Sequence, residues 1–198
     1  MSISEYISVF VSIIVGLAVA DLLISFHRLL RVGSNVGWYW LVPTLATYIL
    51  LGIVSYWWGT YYWLAQIRTL SMAQFLPTLF AAITIFLLAA AVLPDEIPAN
   101  GIDLKKWYFQ NSRQIWVFAT ITLLFVVILG TDDAISSARA KLDGTQMALI
   151  IVKSQWDNLL SVGAYTWLIF TRRLRVHEVV VVLSIIDMAY SATWLRLG

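Results

Sequence analysis

Six runs of apolar residues of membrane-crossing length follow one another along the chain, separated by short segments dense in turn formers or charge. A bilayer core of about 30 Å takes around 20 helical residues. The first run extends from about Tyr6 to Leu30 and is interrupted early only by Asp21. The second, about Trp38 to Leu64, has Trp38, Tyr39 and Trp40 at one end and Trp57, Trp58, Tyr61, Tyr62 and Trp63 at the other. That is the pattern of aromatic belts at two membrane interfaces. The third, about Phe75 to Leu93, holds no charge, and its Pro77 falls in the first turn, where a missing N–H costs little.

The segment Pro94-Asp95-Glu96-Ile97-Pro98-Ala99-Asn100-Gly101 is the strongest break in the chain. Lys105, Lys106, Trp107, Tyr108 and Phe109 after it suggest a short amphipathic helix lying on the membrane surface. A fourth span begins near Gln114, is apolar to Leu129, and continues as a polar helix through Asp132 toward Gly144. The fifth, Thr145 to Phe170, has apolar ends and a polar middle, Lys153-Ser154-Gln155-Trp156-Asp157-Asn158; if its 145–158 stretch does not cross, the count falls to five. The sixth, Glu178 to Leu195, is valine-rich with Asp187 near its centre. The pattern predicts an all-α polytopic membrane bundle of six transmembrane helices, forming one domain over residues 1–198. Ala18-Val19-Ala20 has the small-residue look of a signal-peptide cleavage site, but no Lys or Arg precedes the run, so it is expected to be a retained span.

Composition agrees. Of 198 residues, 61% are hydrophobic and 12% charged, with a mean hydropathy of +0.82; soluble domains carry about a quarter charged residues. A soluble fold of this length has too much surface per volume to hide so many apolar groups. A soluble domain, a disordered chain and a nucleic-acid binder are thereby excluded, and a multi-pass cell-membrane protein is expected. The net charge of +2 gives no basis for nucleic-acid binding. Cysteine is absent, which removes disulfides, iron–sulfur clusters and thiol catalysis. Two histidines without a neighbouring carboxylate cluster leave little for a metal. No nucleophile elbow, zinc-protease motif, Walker loop or dinucleotide turn occurs, so the expectation is a protein that is not an enzyme and has no cofactor.

Connections after spans one, three and five carry Arg28, Arg31, Lys105, Lys106, Arg113, Arg172, Arg173 and Arg175; the opposite side carries Arg68, Arg139, Lys141 and Arg196. Cations gather on cytoplasmic loops, so this balance places both termini outside the cytoplasm. The acidic 94–103 loop argues mildly against it.

At an offset of 111 residues, Asp21, Ile24, Ser25, Arg28 and Gly33 coincide with Asp132, Ile135, Ser136, Arg139 and Gly144. Repeats over 1–93 and 112–198 would each hold three spans, so the second copy would be inverted, the plan of many transporters. The alternative is coincidence among helices of biased composition. On a helix, Asp21, Ser25 and Arg28 line one face. They form either a polar stripe that pairs with another element or a solvated helix end.

Ionisable groups at mid-bilayer cost about 2.5–3.5 kcal/mol each and normally face a bundle interior or a wet cavity. Asp157 and Asp187 are the clearest cases, with Asn158 beside the first and Lys153 one turn before it. Three readings stand. Lys153–Asp157 with Asn158 is a structural ion pair and helix glue; or Asp157 and Asp187 line an ion or proton path; or span five lies at the interface. His27 and His177 sit at span edges, where a bis-histidine haem site or ordinary interfacial residues are the alternatives. Gly16-xxx-Ala20 and Ala89-Ala90-Ala91 permit close helix approach. The leading functional expectation is a channel or small transporter for a cation or proton, working as a homo-oligomer in the lipid bilayer. The alternative is a non-catalytic accessory subunit of a larger membrane complex.

Overall fold

The computed structural model describes residues 3–66, 71–138 and 143–192. These form a bundle of six α-helices: α1 (Ile3–Val32), α2 (Leu41–Gln66), α3 (Met72–Val92), α4 (Leu104–Ala138), α5 (Gly144–Phe170) and α6 (Leu174–Ala192). Four stretches are long and apolar enough to cross a membrane: Glu5–Asn35, Leu41–Ala65, Phe75–Val92 and Leu104–Thr131. Helix suits such sequence because, in lipid, every backbone N–H and C=O must find its partner inside the segment.

Side-chain contacts set the direction of each helix. Phe10 of α1 meets Phe75 at the start of α3, and Arg28 Nη1 donates to the Asp95 carbonyl beyond its end (2.9 Å), so α1 and α3 run parallel. α2 runs back against both, with Trp57 Nε1 donating to Ser12 Oγ (2.9 Å) and Tyr56 Oη to the Thr78 carbonyl (2.6 Å). α4 is antiparallel to α3, Phe125 stacking on Phe80. α5 folds back along α4, with Trp116 against Tyr165 and Gln155 beside Gly130.

The apolar core lies among α1–α4. Leu29, Leu45, Ile53, Leu93 and Ile115 are fully buried, and the buried alanines Ala18, Ala46, Ala82 and Ala89 let the backbones approach. Gly16 and Ala20, by contrast, lie on the exposed face of α1. α5 buries only Gln155, Tyr165 and Leu168, and α6 only His177 and Val181 among its described residues. Ala164, Ile169, Val176, Val180 and Ile185 pack half-buried against the core, while Trp156, Leu160, Val179, Leu183 and Ile186 face outward. The two halves compared above pack differently: α1 lies along α3, whereas α4 lies along α5.

Connections after α1, α3 and α5 gather at one end of the bundle. There β1 (Val36–Gly37) and β2 (Ile102–Asp103) pair in parallel, Val36 opposite Ile102 and Gly37 opposite Asp103. The approach depends on Gly101, which has φ +89° and whose Cβ, were one present, would run into the Asn35 carbonyl oxygen. Only glycine meets both conditions.

Two expectations about boundaries need correction. Trp38, Tyr39 and Trp40 precede α2 rather than opening it: the chain is paired in β1 up to Gly37 and turns at Trp40, where the Val42 N–H donates to the Tyr39 carbonyl (3.1 Å), before α2 starts at Leu41. Residues 105–109 are not a separate surface helix but the first turns of α4. The Asp103 carboxylate accepts from the backbone N–H groups of Lys105 (3.0 Å) and Lys106 (3.1 Å), capping the helix there, and no Pro or Gly interrupts it before Gln114. The resulting 35-residue helix is about 52 Å long, well beyond the bilayer core.

Gly101→Ala is expected to cost about 1–3 kcal/mol through backbone strain and the clash with Asn35, lowering the melting temperature in detergent. Gly16→Ala, where a Cβ meets nothing, should leave it unchanged or slightly higher. Equal melting temperatures for Gly101→Ala and the parent would disprove the lock.

Candidate functional site

A cavity of about 530 Å³ opens inside the bundle, walled by α2, α3, α4 and α6 with two side chains from α5. Helical spacing puts Leu45, Tyr48, Gly52, Tyr56, Gly59 and Trp63 of α2 on this wall, and the two glycines leave part of the space. From α4 come Trp116, Ala119 and Leu123; from α6, Asp187, Met188 and Ser191; from α5, Asn158 and Tyr165. Most of this lining is aliphatic or aromatic, and among the described residues Asp187 is its one side chain of the carboxylate, lysine or arginine type.

A chain of hydroxyls crosses the cavity's edge from helix to helix. Tyr48 Oη and Tyr165 Oη are 2.7 Å apart, and Tyr165 donates to Ser184 Oγ at 3.0 Å. The single phenolic proton of Tyr165 is thus committed to Ser184, so Tyr48 is the donor to Tyr165. The order of donation runs α2 to α5 to α6. Ser184 and Asp187 stand three residues apart on one face of α6, and the Asp187 carboxylate lies near enough to act electrostatically on both phenols.

Asp187 itself is exposed and makes no ion pair among the described residues, where Lys106–Asp103 is the pair present. Counting the interval 174–187 along α6, it stands about 20 Å from the end of the bundle where the helix begins. Asp157 is at matching depth on α5, by the interval 157–170, but does not line the cavity; its neighbour Asn158 does. The two carboxylates are therefore not placed together as a pair in that cavity.

The Lys153–Asp157 ion pair, one of the sequence readings, does not form. Gln155 between them is out of helical geometry (φ −127°, ψ 15°), so the i, i+4 relationship is broken. The Gln155 side chain turns inward, is buried against Gly130, and accepts from Asn158 Nδ2 at 2.8 Å. Lys153 is exposed. On α1, Ser25 is buried, and one Asp21 oxygen (Oδ2) is buried without a hydrogen-bond partner among the described residues. Arg28 turns away from both to the Asp95 carbonyl. Asp21, Ser25 and Arg28 thus do not bond to one another, and none lines the cavity. The side chains of Asp132 and Ser136 and all of Arg139 lie outside the described residues.

The histidines separate. His27 is exposed, whereas His177 is fully buried at the start of α6, contrary to the reading of both as interfacial. His177 Nε2 is 3.1 Å from the Thr171 carbonyl, which can only accept, so Nε2 carries the proton. Nδ1 is then the acceptor for Tyr108 Oη (2.7 Å) and Trp116 Nε1 (3.2 Å). Both ring nitrogens are engaged, which leaves neither for haem iron. Among the described residues no group of three His, Asp or Glu side chains is placed to hold a metal.

Sequence reasoning passed over Tyr48, Tyr165 and Ser184. One signal was available: tyrosines near mid-span, away from the interfacial belts, need a hydroxyl partner in the membrane interior. On α6, Ser184, Asp187, Met188 and Ser191 also share one face amid valines.

Burial lowers the affinity of His177 for a proton below its ordinary 6.5, only partly opposed by the Thr171 hydrogen bond. The unfolded chain then binds more protons than the folded one in this range. The stabilising clamp on α4 is complete above pH 6.5 and is lost as pH falls toward the folded value. Thermal melts in detergent should show the parent losing stability below that pH relative to His177→Gln, whose own melting temperature is lower at neutral pH. A constant gap between the two from pH 7.5 to pH 5 would refute the clamp.

Comparison of the chain with protein-family models, with curated proteins and with solved structures gives no match.

Proposed function

We propose that the chain is a multi-pass protein of the cell membrane that moves a cation or a proton across the bilayer, with Asp187 in the path. One observation carries the reading: a carboxylate about 20 Å along α6 lines a large cavity and has no ion-pair partner among the described residues. Such a group is costly to hold in lipid, by about 2.5–3.5 kcal/mol, and intramembrane acids of this kind mark ion and substrate pathways.

In this reading α5 and α6 complete a six-span bundle. Their 27 and 19 residues amount to about 40 and 29 Å of helix, enough for the hydrocarbon core. Within the polar middle of α5, Asn158 Nδ2 donates to the Gln155 side chain, which is buried against α4. The cavity is walled by α2 and α3 from residues 1–93 and by α4, α5 and α6 from residues 112–198, a boundary between halves of the kind at which many transporters hold their sites. With one carboxylate in the described lining, a symmetric path would be a property of several subunits. The exposed Gly16 and Ala20 of α1 would let a second copy approach closely.

The accessory-subunit reading draws on the outward apolar faces of α5 and α6, including Trp156, Leu160, Val179, Leu183 and Ile186. These suit a neighbouring protein as well as lipid.

Purified chain in liposomes should dissipate an imposed cation or proton gradient, and Asp187→Asn should slow the flux about tenfold or more, the scale of removing one mid-membrane charge partner. Asp157→Asn, outside the cavity, should leave most of it. Flux that is absent in the parent, or unchanged in Asp187→Asn, would reject the reading; absence together with a co-purifying membrane partner would favour the accessory role.

A further inference from the structure

We infer that the cavity is a binding site for a lipophilic organic cation, with the charge of an ammonium or phosphonium group against the Asp187 carboxylate and an apolar body against the walls of α2, α3 and α4. The inference deepens the cation-transport reading and rests on it.

Size is the first argument. About 530 Å³ is the room of a small-molecule site, which commonly spans about 300–1,000 Å³. A hard inorganic cation such as calcium or magnesium takes about six or more oxygen ligands in a tight shell. Among the described residues the lining holds one carboxylate; the Tyr48 and Tyr165 hydroxyls are committed in the chain to Ser184, and further side-chain oxygens, from Ser55, Thr60, Thr78, Thr122, Asn158 and Ser191, are spread over five helices rather than gathered around one point. Such an ion would exchange its water for a mostly hydrocarbon wall.

The chemistry of the wall is the second argument. Ile53, Ile85, Leu88, Leu123 and Val126 present aliphatic surface with nothing to solvate a bare charge. An organic cation carries its own apolar cover, so burial of its body is favourable at about 25 cal/mol per Å². Its charged centre needs only one counter-charge and the faces of aromatic rings, which Tyr48, Tyr56, Trp63, Trp116 and Tyr165 bring to the lining. An organic anion or a neutral hydrocarbon would leave the Asp187 charge uncompensated in the membrane.

The third argument is a pair of unsatisfied hydroxyls. Thr44, Thr47, Thr120 and Thr166 each donate to the carbonyl four residues earlier, as threonines in apolar surroundings normally do. Thr78 and Thr122, which line the cavity from α3 and α4, do not: their Oγ1 atoms are buried and have no hydrogen-bond partner among the described residues. Thr78 is only 1% exposed. A buried hydroxyl without a partner is costly, and a rotation about χ1 would turn either one from the wall toward a polar group in the cavity.

The choline head of a phospholipid has related charge chemistry, but we commit to a free cation, because the cavity's apolar volume is matched to a compact hydrophobic body. The test is equilibrium dialysis of radiolabelled tetraphenylphosphonium against the full chain in nanodiscs of phosphatidylglycerol or of phosphatidylcholine. Saturable binding in both lipids is expected. Asp187→Asn should weaken it about 10- to 100-fold, the scale of a lost charge-assisted contact. Gly52→Leu, which fills space where only Met188 Cε lies within reach, should weaken it also, while Asp157→Asn retains parental affinity. Excess tetramethylammonium or sodium should fail to displace the label, having charge without an apolar body.

No saturable binding to folded parent chain, equal affinity in Asp187→Asn, or displacement by sodium would overturn the inference. Loss of binding only in phosphatidylcholine would also overturn it, by assigning the site to a lipid head. Asp187-dependent sodium flux without phosphonium binding would sink this inference and leave the transport reading standing. Phosphonium binding without flux of any cation would keep the site and sink transport.

Discussion

An apolar side chain in a bilayer gains little by leaving lipid for another helix, so burial of hydrocarbon cannot be what assembles this chain. Close packing of small residues and a few polar contacts must do it. The two means are divided along the molecule. α1 to α4 come together over buried alanines and interdigitated aliphatic side chains. α5 and α6 bury few residues and are held by polar side chains: Gln155 against Gly130, the Tyr48–Tyr165–Ser184 hydroxyls, and His177 between Tyr108 and Trp116. A Tyr39–Glu178 hydrogen bond of 3.0 Å adds to the attachment of α6 at its first turn.

That division explains why a cavity can persist. Where helices are locked by continuous packing, space is filled; where they are pinned at separate polar points, they stand apart between the pins. The His177 cluster fixes one end of α6, the hydroxyl chain fixes its middle, and the glycines of α2 withhold side chains from the gap. The open volume is thus a consequence of how α6 is fastened. Among the described residues Asp187 is the charged group of this mostly apolar lining, and the preference we propose for a positive occupant rests on it.

The connections at one end serve a different purpose. Three chain crossings meet there, joined by the short β1–β2 pairing, the Arg28 contact to Asp95 and the Asp103 cap of α4. Water competes for polar groups at an interface, so these bonds matter chiefly for register. They place α4 at the height that brings Tyr108 and Trp116 to His177. The Gly101 turn belongs to this group, which is why one backbone position near the membrane surface bears on packing within it.

Helix and the approximate position of the four stretches long and apolar enough to cross a membrane were legible from the linear order of residues, because lipid imposes a length and a polarity that can be counted. The capping Asp103 that extended α4 backward was in view but competed with the amphipathic look of 105–109, and local pattern could not say which prevailed. Asp187 could be picked out as an anomaly in valine-rich surroundings, but its separation from Asp157 could not be foreseen. A non-helical residue at Gln155 and the facing of two helices decide that, and neither is written in spacing. His177 shows the same limit: its position at a span edge implied a headgroup neighbour, and the fold of the α5–α6 turn buried it instead. Composition and periodicity act within one helix, whereas the cavity and the Tyr48–Tyr165 link of its hydroxyl chain join side chains more than a hundred residues apart, which only the packed bundle brings face to face.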